Sequence, residues 1–354
     1  MKYFIDKSSK ESAYMQLYHE LRRDIISGKL PLGTRLPSKR LLAGELGLSL
    51  VTVEHAYALL VDEGYAEARE RSGYFAAFGG VPRQERAVPA VQGEASLSDV
   101  PEDFPFTSLA RVMRRVLSDY DRRILIKSPG SGCIELRSAI AAYLERSRGL
   151  DVSPEQIILG SGAEYLYSMI VQLLGRDTVF AHENPCYSRI LQVYEANGVK
   201  CEPLTIGEDG IISSALQGCS AGALHVTPFN SYPSRITASA SKRHEYAAWA
   251  EEKGSYIVED DYDSEFSSVT KYIDTIYSLA PQRVIYLNTF SRTVMPSMRM
   301  AYMVLPEGLM ERYREKLGFY SCTVPVYEQY VLAEYINSGE LERYINRRRR
   351  KMRK

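Results

Sequence analysis

Residues 36–75, LPSKRLLAGELGLSLVTVEHAYALLVDEGYAEARERSGYF, decide the fold of the first part of this chain. The spacing predicts two short helices joined by a tight turn, then a two-stranded hairpin. Ser38 and Ser49 are placed to cap the two helices, and Gly47 separates them. Helical spacing predicts the apolar faces: Leu41, Leu42 and Leu46 in the first helix, and Val53, Tyr57 and Leu60 in the second.

A helix, a tight turn and a second helix form the geometry that places the start of the second helix in a major groove. In the hairpin, the cations are suited to phosphates or to a minor groove, and a glycine permits close approach. The run GTRLPSKRLLAGELGLSLVTVEHAYALLVDEGYAEARERSGYF resembles a GntR-type winged helix-turn-helix. The resemblance implies double-stranded operator DNA as a partner. The expected DNA contacts are Arg35, Ser38, Lys39, Arg40, Ser49, Leu50, Thr52, His55, Arg69, Arg71 and Gly73.

One departure concerns the start of the second helix. Many GntR-type proteins carry a basic or amide residue just after the cap, whereas this chain has Leu50 and Val51. We therefore expect base readout to use apolar contacts, Thr52, His55 and the hairpin.

The length and charge of the chain limit the classes of protein to which it can belong. The chain has 354 residues, a net charge of zero and 45% hydrophobic residues, which indicates an ordinary globular protein of two domains. The first 78 residues hold 11 Lys and Arg against 10 Asp and Glu, a net of +1. DNA binding must then rest on local placement of charge. We expect a homodimer that reads two half-sites.

The cysteines show no CxxC pairing, which favours reduced thiols over disulfides or a zinc site. The five are Cys133, Cys186, Cys201, Cys219 and Cys322. Neither a signal-like N-terminus nor an apolar run of about 18 residues is present. We expect a cytoplasmic protein with no membrane span and no metal.

Three segments are predicted. Residues 1–78 form the DNA-binding domain, with an amphipathic helix at 11–28 behind the reading helices. Residues 79–103 are poor in large apolar side chains and carry several prolines, which predicts a linker. Residues 104–354 form the second domain. It ends in RRRRKMRK, seven cations in eight residues, which suits either nonspecific phosphate contacts or a helix cut short.

The second domain alternates short apolar runs with helical stretches, which predicts an α/β fold with a mostly parallel sheet covered by helices. The predicted strands are 157–159, 178–181, 223–227, 256–258, 284–287 and 301–305. The predicted helices include 163–174, 188–197 and 241–253. Ligands in such sheets bind at the carboxyl ends of strands.

Polar clusters follow three of these strands. Residues 159–164 form a glycine turn that opens a helix, which is a natural phosphate site. Residues 259–263 are acidic and could bind a metal, cap a helix or pair with a cationic ring nitrogen, although no nearby histidine supports a metal. Residues 288–299 offer hydroxyls and two guanidinium groups around one turn as an anion cradle.

The order and spacing of these clusters resemble fold-type-I pyridoxal-phosphate enzymes, specifically the aminotransferase-like domain of MocR-type regulators. The resemblance runs from residue 104 to the end of the chain. It is carried by RSRGLDVSPEQIILGSGAEYL, ENPCY, IVEDDYDSEF and NTFSRTVMPSMRMAYMVLP.

The resemblance implies a site for pyridoxal 5′-phosphate. Asp260 matches the carboxylate that keeps the ring nitrogen protonated. Tyr187 matches the residue that stacks on the ring, and Tyr262 the phenol near the ring hydroxyl. Arg189 lies near the expected substrate side and is a candidate for contact with a carboxylate. The implied phosphate partners are the backbone N–H groups of Ser161, Gly162, Ala163 and Glu164, and the side chains of Thr289, Ser291 and Arg299.

The chain departs from the family at its central residue. The family has a lysine between Ser291 and Thr293, where its amine forms a Schiff base with the cofactor, and this chain has Arg292. A guanidinium stays protonated and is not a usable nucleophile. We therefore expect no catalytic residue and, if the cofactor binds, non-covalent binding. Relatives also continue past the position of Lys354, so we expect the second domain to be incomplete at its C-terminus.

Three functions fit these residues. The first is a DNA-binding transcriptional regulator whose aminotransferase-like domain binds pyridoxal phosphate or an amino compound as effector. The second is a working aminotransferase, which Arg292 opposes. The third is a degenerate family member whose effector domain no longer functions.

Overall fold

The computed structural model describes residues 3–6, 9, 11–70, 72–78, 104–262, 264–266 and 274–352, without the side chains of Arg292 and Pro296. The chain forms two compact units, one before and one after the gap at 79–103. The predicted linker and Arg71 lie outside the described residues. The predicted domain boundaries stay a prediction.

The first unit is three helices and a hairpin: α1 (Ala13–Ile26), α2 (Lys39–Leu46), α3 (Leu50–Asp62), β1 (Ala66–Arg69) and β2 (Gly73–Ala76). Its core is built from one face of each helix, with Leu17, Leu42 and Tyr57 buried. The prediction for Leu41 was wrong, because this side chain is 56% exposed. One residue is about 100° of rotation on a helix, and α2 is turned to bury the neighbouring Leu42 instead.

The second unit is an α/β domain. Its helices are α4 (Phe106–Tyr120), α5 (Ile134–Arg148), α6 (Ala163–Leu174), α7 (Ser188–Ala196), α8 (Ser213–Gly218), α9 (Ala240–Lys253), α10 (Ile276–Leu279), α11 (Phe290–Thr293), α12 (Glu307–Leu317), α13 (Val326–Asn337) and α14 (Glu340–Met352). Its strands are β3 (Ile157–Gly160), β4 (Phe180–Asn184), β5 (Cys201–Thr205), β6 (Ala223–Val226), β7 (Tyr256–Asp260), β8 (Val284–Thr289) and β9 (Ala301–Val304).

These seven described strands form one sheet in the order β3-β9-β8-β7-β6-β4-β5. Strands β5, β4, β6, β7 and β8 run parallel, and β9 pairs antiparallel with both β3 and β8. The mostly parallel sheet is therefore confirmed. Strand β5 was not predicted from the sequence.

Apolar side chains cover both faces of this sheet. Along β7, Ile257 packs into one buried cluster and Val258 into the other, because successive strand residues point to opposite faces. Both faces of the sheet are thus covered, so a ligand site is expected at the edge where the parallel strands end. Among the described helices, none combines the length and apolar character needed to cross a bilayer.

Candidate functional site

The leading end of α3 is exposed and fixed by its cap. Ser49 Oγ accepts a hydrogen bond from the Thr52 backbone N–H at 3.1 Å and lies 2.7 Å from the Thr52 hydroxyl oxygen. Leu50 and Val51 are 41% and 57% exposed, and His55 is also exposed. The first turn therefore offers two aliphatic side chains to a partner, while the Thr52 hydroxyl is already engaged with the cap.

Lys39 connects α2 to α3 and to the hairpin. Its Nζ donates to Glu54 Oε1 at 2.8 Å and lies 5.4 Å from the centre of the Tyr74 ring. The hydrogen bond to Glu54 raises the pKa of Lys39. This predicted DNA contact therefore already has an acidic partner within the unit, whereas Arg40 beside it is exposed.

In the hairpin, an ion pair and packing against a ring hold Arg69 in place. The Arg69 guanidinium pairs with Glu67 at 2.5 Å and lies 4.4 Å from the centre of the Phe75 ring. Gly73 has φ +105°, and a Cβ there would lie 3.5 Å from the Arg35 guanidinium. The glycine thus gives the hairpin its positive φ and lies beside Arg35.

A cavity of about 350 Å³ lies in the second unit, where several of the sheet strands end. Its volume falls within the range of small-molecule sites, roughly 300–1,000 Å³. The lining residues are Ala163, Glu164, Tyr167, Tyr187, Ile190, Thr227, Tyr232, Arg235, Asp260, Tyr262, Thr289, Ser291 and Arg299. Eight of the ten residues predicted to bind the cofactor are therefore brought together.

The three acidic residues at the end of β7 have three different environments. Glu259 accepts hydrogen bonds from the backbone N–H groups of Ile276 and Tyr277 at the start of α10. Asp261 forms an ion pair with Arg148 at 2.8 Å. Only Asp260 lines the cavity. Of the alternatives that the sequence left open, Glu259 therefore serves as a helix cap, whereas Asp260 lines the cavity.

Asp260 is buried, and only one of its two carboxylate oxygens has a hydrogen-bond donor among the described residues. The Tyr167 hydroxyl donates to Oδ2, and His225 Nε2 lies 3.8 Å from the same oxygen. The other oxygen, Oδ1, has no hydrogen-bond partner among the described residues. A buried acceptor without a donor is unfavourable, so this oxygen has the capacity to accept a hydrogen bond from a further donor.

The basic end of the cavity is already paired. Arg299 donates to Glu164 Oε2 at 2.9 Å, and Arg189 lies 3.3 Å from Glu164 Oε1. Although burial opposes it, hydrogen bonding to the Glu164 backbone N–H and the charge of Arg299 lower the pKa of Glu164. Gly162 adopts φ +105°, and a Cβ there would lie 2.8 Å from the Arg299 guanidinium. Its missing side chain lets Arg299 approach the loop.

Hydroxyls and rings complete the walls. Thr289 Oγ1 accepts from the Ser291 backbone N–H at 3.2 Å and lies 3.3 Å from the Met300 carbonyl oxygen. The rings of Tyr187 and Tyr232 stand edge to face, with centres 6.0 Å apart. These groups give the cavity a polar floor and an aromatic wall.

Two predicted cofactor residues do not line the cavity. The Ser161 backbone N–H donates to Thr323 Oγ1 at 3.1 Å, and Gly162 lies under Arg299. The Arg292 side chain lies outside the described part of the chain, so its predicted role stays a prediction.

Five lining residues were not predicted from the sequence: Tyr167, Ile190, Thr227, Tyr232 and Arg235. Tyr167 could have been found, because it follows Glu164 by three residues on a predicted helix and must share its face. Arg235 carried no signal, since it lies in a loop without a recognisable motif.

The residues present fit pyridoxal phosphate. A protonated ring nitrogen would supply a donor for Asp260, whose Oδ1 has no partner among the described residues. Two hydroxyls, Thr289 and Ser291, and the Arg299 guanidinium are suited to phosphate. When bound, the ring would supply an electron sink. Among the described residues, no group of three potential metal ligands is found.

A helix-turn-helix joined to an aminotransferase-type sheet defines a class of DNA-binding regulators. The gntR family of bacterial regulatory proteins matches residues 13–75, and the aminotransferase class I and II family matches residues 100–354. The chain belongs to the aminotransferase class I and II family and, with its gntR domain, to the HTH-type transcriptional regulators of the MocR type.

Relatives match along nearly the whole chain. The uncharacterized HTH-type transcriptional regulator YdeL of Bacillus subtilis is 33% identical over 99% of this chain and 79% of its own length. The HTH-type pyridoxine biosynthesis transcriptional regulator PdxR of Corynebacterium glutamicum is 31% identical over 95% of this chain and 75% of its own. The probable rhizopine catabolism regulatory protein MocR of Rhizobium meliloti is 27% identical, with 98% and 76% covered.

Solved aminotransferases share the fold of the second unit. An archaeal alanine:glyoxylate aminotransferase has a TM-score of 0.63 and 25% identity, covering 69% of this chain and 63% of its own. A multiple substrate aminotransferase from Thermococcus profundus has a TM-score of 0.65 and 22% identity, with 71% and 65% covered. This chain thus spans just under two thirds of those two solved chains.

Proposed function

We propose that this chain regulates transcription by binding an operator through α3 and the hairpin, and that its second unit binds pyridoxal phosphate non-covalently as a sensor. One observation carries the effector half of this proposal. Eight predicted cofactor residues line a single cavity, and in it Asp260 Oδ1 is buried without a described partner. A regulator, rather than an enzyme, is favoured by Arg292 at the position of the family's lysine.

Effector binding acts on DNA through a dimer. Two reading units must be held at a fixed spacing to engage two half-sites, and a ligand that favours one arrangement changes affinity for the operator. The PdxR relative is a regulator of pyridoxine biosynthesis, which supports a vitamin-B6 compound as effector. An amino compound is the alternative effector.

An exposed apolar stripe supports a homodimer. Phe106, Met113 and Leu117 of α4 are 62%, 37% and 52% exposed, and their spacing places them along one line of the helix. Leu125 and Ile126 beyond it are 81% and 65% exposed. We expect these side chains to be covered by a second copy, because exposed apolar patches mark interaction sites. In sedimentation velocity, Leu117→Glu should convert dimer to monomer.

Gel shifts test the DNA half. DNA from upstream of the protein's own gene or a neighbouring gene should give a salt-sensitive, sequence-selective shift. Val51→Glu places a negative charge at the exposed start of α3 and should abolish this shift. Ile212→Glu, the same charge change at a position 42% exposed in the second unit, is the matched control. A wild-type protein that gives no selective shift, or a Val51→Glu variant that shifts like wild type, contradicts the proposal.

Titration with pyridoxal phosphate tests the effector half. Reversible binding that changes the gel shift supports a sensor. No binding supports the degenerate alternative, in which only the DNA-binding unit functions. Turnover of an amino donor that Asp260→Asn abolishes would instead support an aminotransferase.

A further inference from the structure

A carboxylate of the chain itself lies where the phosphate of the ligand is expected. Glu164 is the acidic residue in the first turn of α6, and it lines the cavity. Its Oε2 accepts a hydrogen bond from Arg299 at 2.9 Å, and its Oε1 lies 3.3 Å from the Arg189 guanidinium. Arg299 is also the cation to which the proposed function assigns the phosphate. The protein therefore pairs this cation with an anion of its own.

The Glu164 carboxylate makes the kinds of contact that a phosphate makes at the start of a helix. A helix N-terminus attracts an anion through its free backbone N–H groups and its positive end, and Glu164 accepts a hydrogen bond from its own backbone N–H. Burial raises the pKa of Glu164, but this hydrogen bond and the charge of Arg299 outweigh burial and lower the pKa below its ordinary value. The carboxylate is therefore ionised at neutral pH.

A neighbouring donor of the predicted phosphate loop is engaged in the same way. The Ser161 backbone N–H donates to Thr323 Oγ1 at 3.1 Å. Gly162 follows Ser161 and leaves room for the Arg299 guanidinium, because a Cβ there would lie 2.8 Å from it. Two of the groups predicted to hold the phosphate, one guanidinium and one backbone N–H, thus already bind oxygen atoms of the chain itself.

We propose that Glu164 competes with the phosphate of the ligand for Arg299 and thereby sets the affinity of the cavity for phosphorylated ligands. This inference rests on the proposed function, in which Arg299 binds the phosphate of pyridoxal phosphate. The phosphate must take Arg299 from Glu164, and the two anions then repel each other at close range. The cavity therefore binds a phosphorylated ligand more weakly than its cations alone would allow. Since a weak site is not saturated at low ligand concentration, its occupancy follows that concentration, as a sensor requires.

Two compounds that differ only in the phosphate provide the test: pyridoxine 5′-phosphate and pyridoxine, neither of which carries an aldehyde that could react with lysines. In isothermal titration calorimetry with the full chain, Glu164→Gln should bind pyridoxine 5′-phosphate at least about tenfold more tightly than wild type, as expected when one charge-assisted hydrogen bond no longer has to be broken. Its affinity for pyridoxine should stay within about twofold of wild type, because this variant changes the charge and keeps the size of the side chain. Glu195→Gln, the same change at an exposed position of α7 outside the cavity, is the matched control and should bind both compounds like wild type.

The outcomes separate this inference from the proposed function. If Glu164→Gln binds pyridoxine 5′-phosphate like wild type, or gains as much affinity for pyridoxine, Glu164 does not compete with the phosphate and the inference is overturned. If the variant binds the phosphorylated compound and the wild type does not, the inference holds and the effector half of the proposed function fails. If neither protein binds it, both fail. Thermal melting of each variant shows that a difference in affinity does not come from unfolding.

Discussion

Asp260→Asn should weaken the binding of pyridoxal phosphate about 10- to 150-fold. Asp260 Oδ1 is buried without a partner among the described residues, and the protonated ring nitrogen would donate to it. A hydrogen bond to a charged group contributes roughly 1.5–3 kcal/mol, and each 1.4 kcal/mol or so is a factor of about ten in Kd. The asparagine can still accept the hydrogen bond from Tyr167, so we expect the ligand-free protein to keep its stability.

Fluorescence titration measures this loss. A ring analogue with carbon in place of the ring nitrogen cannot donate to Asp260, so it should bind wild type and Asp260→Asn equally. Asp177→Asn, the same substitution at an exposed position outside the cavity, should change neither affinity. The reasoning is refuted if Asp260→Asn binds pyridoxal phosphate like wild type, or if it loses the analogue to the same extent.

Two further substitutions test other parts of the second unit. Burial raises the pKa of Glu183 to about 7, against hydrogen bonds from Ser231 and the Thr227 N–H. The stability that protonated Glu183 contributes is therefore present below pH 4.5 and lost as the pH rises through about 7. In urea unfolding at pH 5 to 8, the wild type should lose up to roughly 3 kcal/mol of unfolding free energy, and Glu183→Gln should remove this loss. If the unfolding free energies of the two proteins change in parallel with pH, Glu183 is excluded as the cause. Arg292→Lys should allow covalent attachment of pyridoxal phosphate, seen as a mass increase after borohydride reduction, whereas wild type should show none; a variant that binds no cofactor would mean that the pocket is wrongly assigned.

The parallel strands could be predicted because their burial is nearly complete. All six residues of β8 are buried, and such strands read as continuous apolar runs. Strand β5 could not, since only Leu204 of its five residues is buried and it contains Pro203. It lies at the edge of the sheet, where proline and polar residues are tolerated. The antiparallel direction of β9 could not be predicted either, because an apolar run does not indicate in which direction a strand pairs with its neighbours.

The candidate site could be predicted from the sequence at positions where a recognisable motif lies at the end of a strand. Asp260 and Thr289 lie at the ends of β7 and β8, which are parallel neighbours, so their meeting follows from the fold class. Glu164 was expected to serve through its backbone, and no local rule indicates that its side chain pairs with Arg299. Arg235 depends on a loop whose path is set by tertiary contacts.

Arg299 is paired with Glu164, so a ligand phosphate bound at Arg299, as proposed, would enter by an exchange of anions. A phosphate that takes Arg299 displaces a carboxylate that is tethered to α6 and is therefore always present at high local concentration. A small monoanion such as chloride replaces that carboxylate with little gain, whereas a dianion with several acceptor oxygens gains more. We therefore expect the pocket to favour phosphate esters over small monoanions.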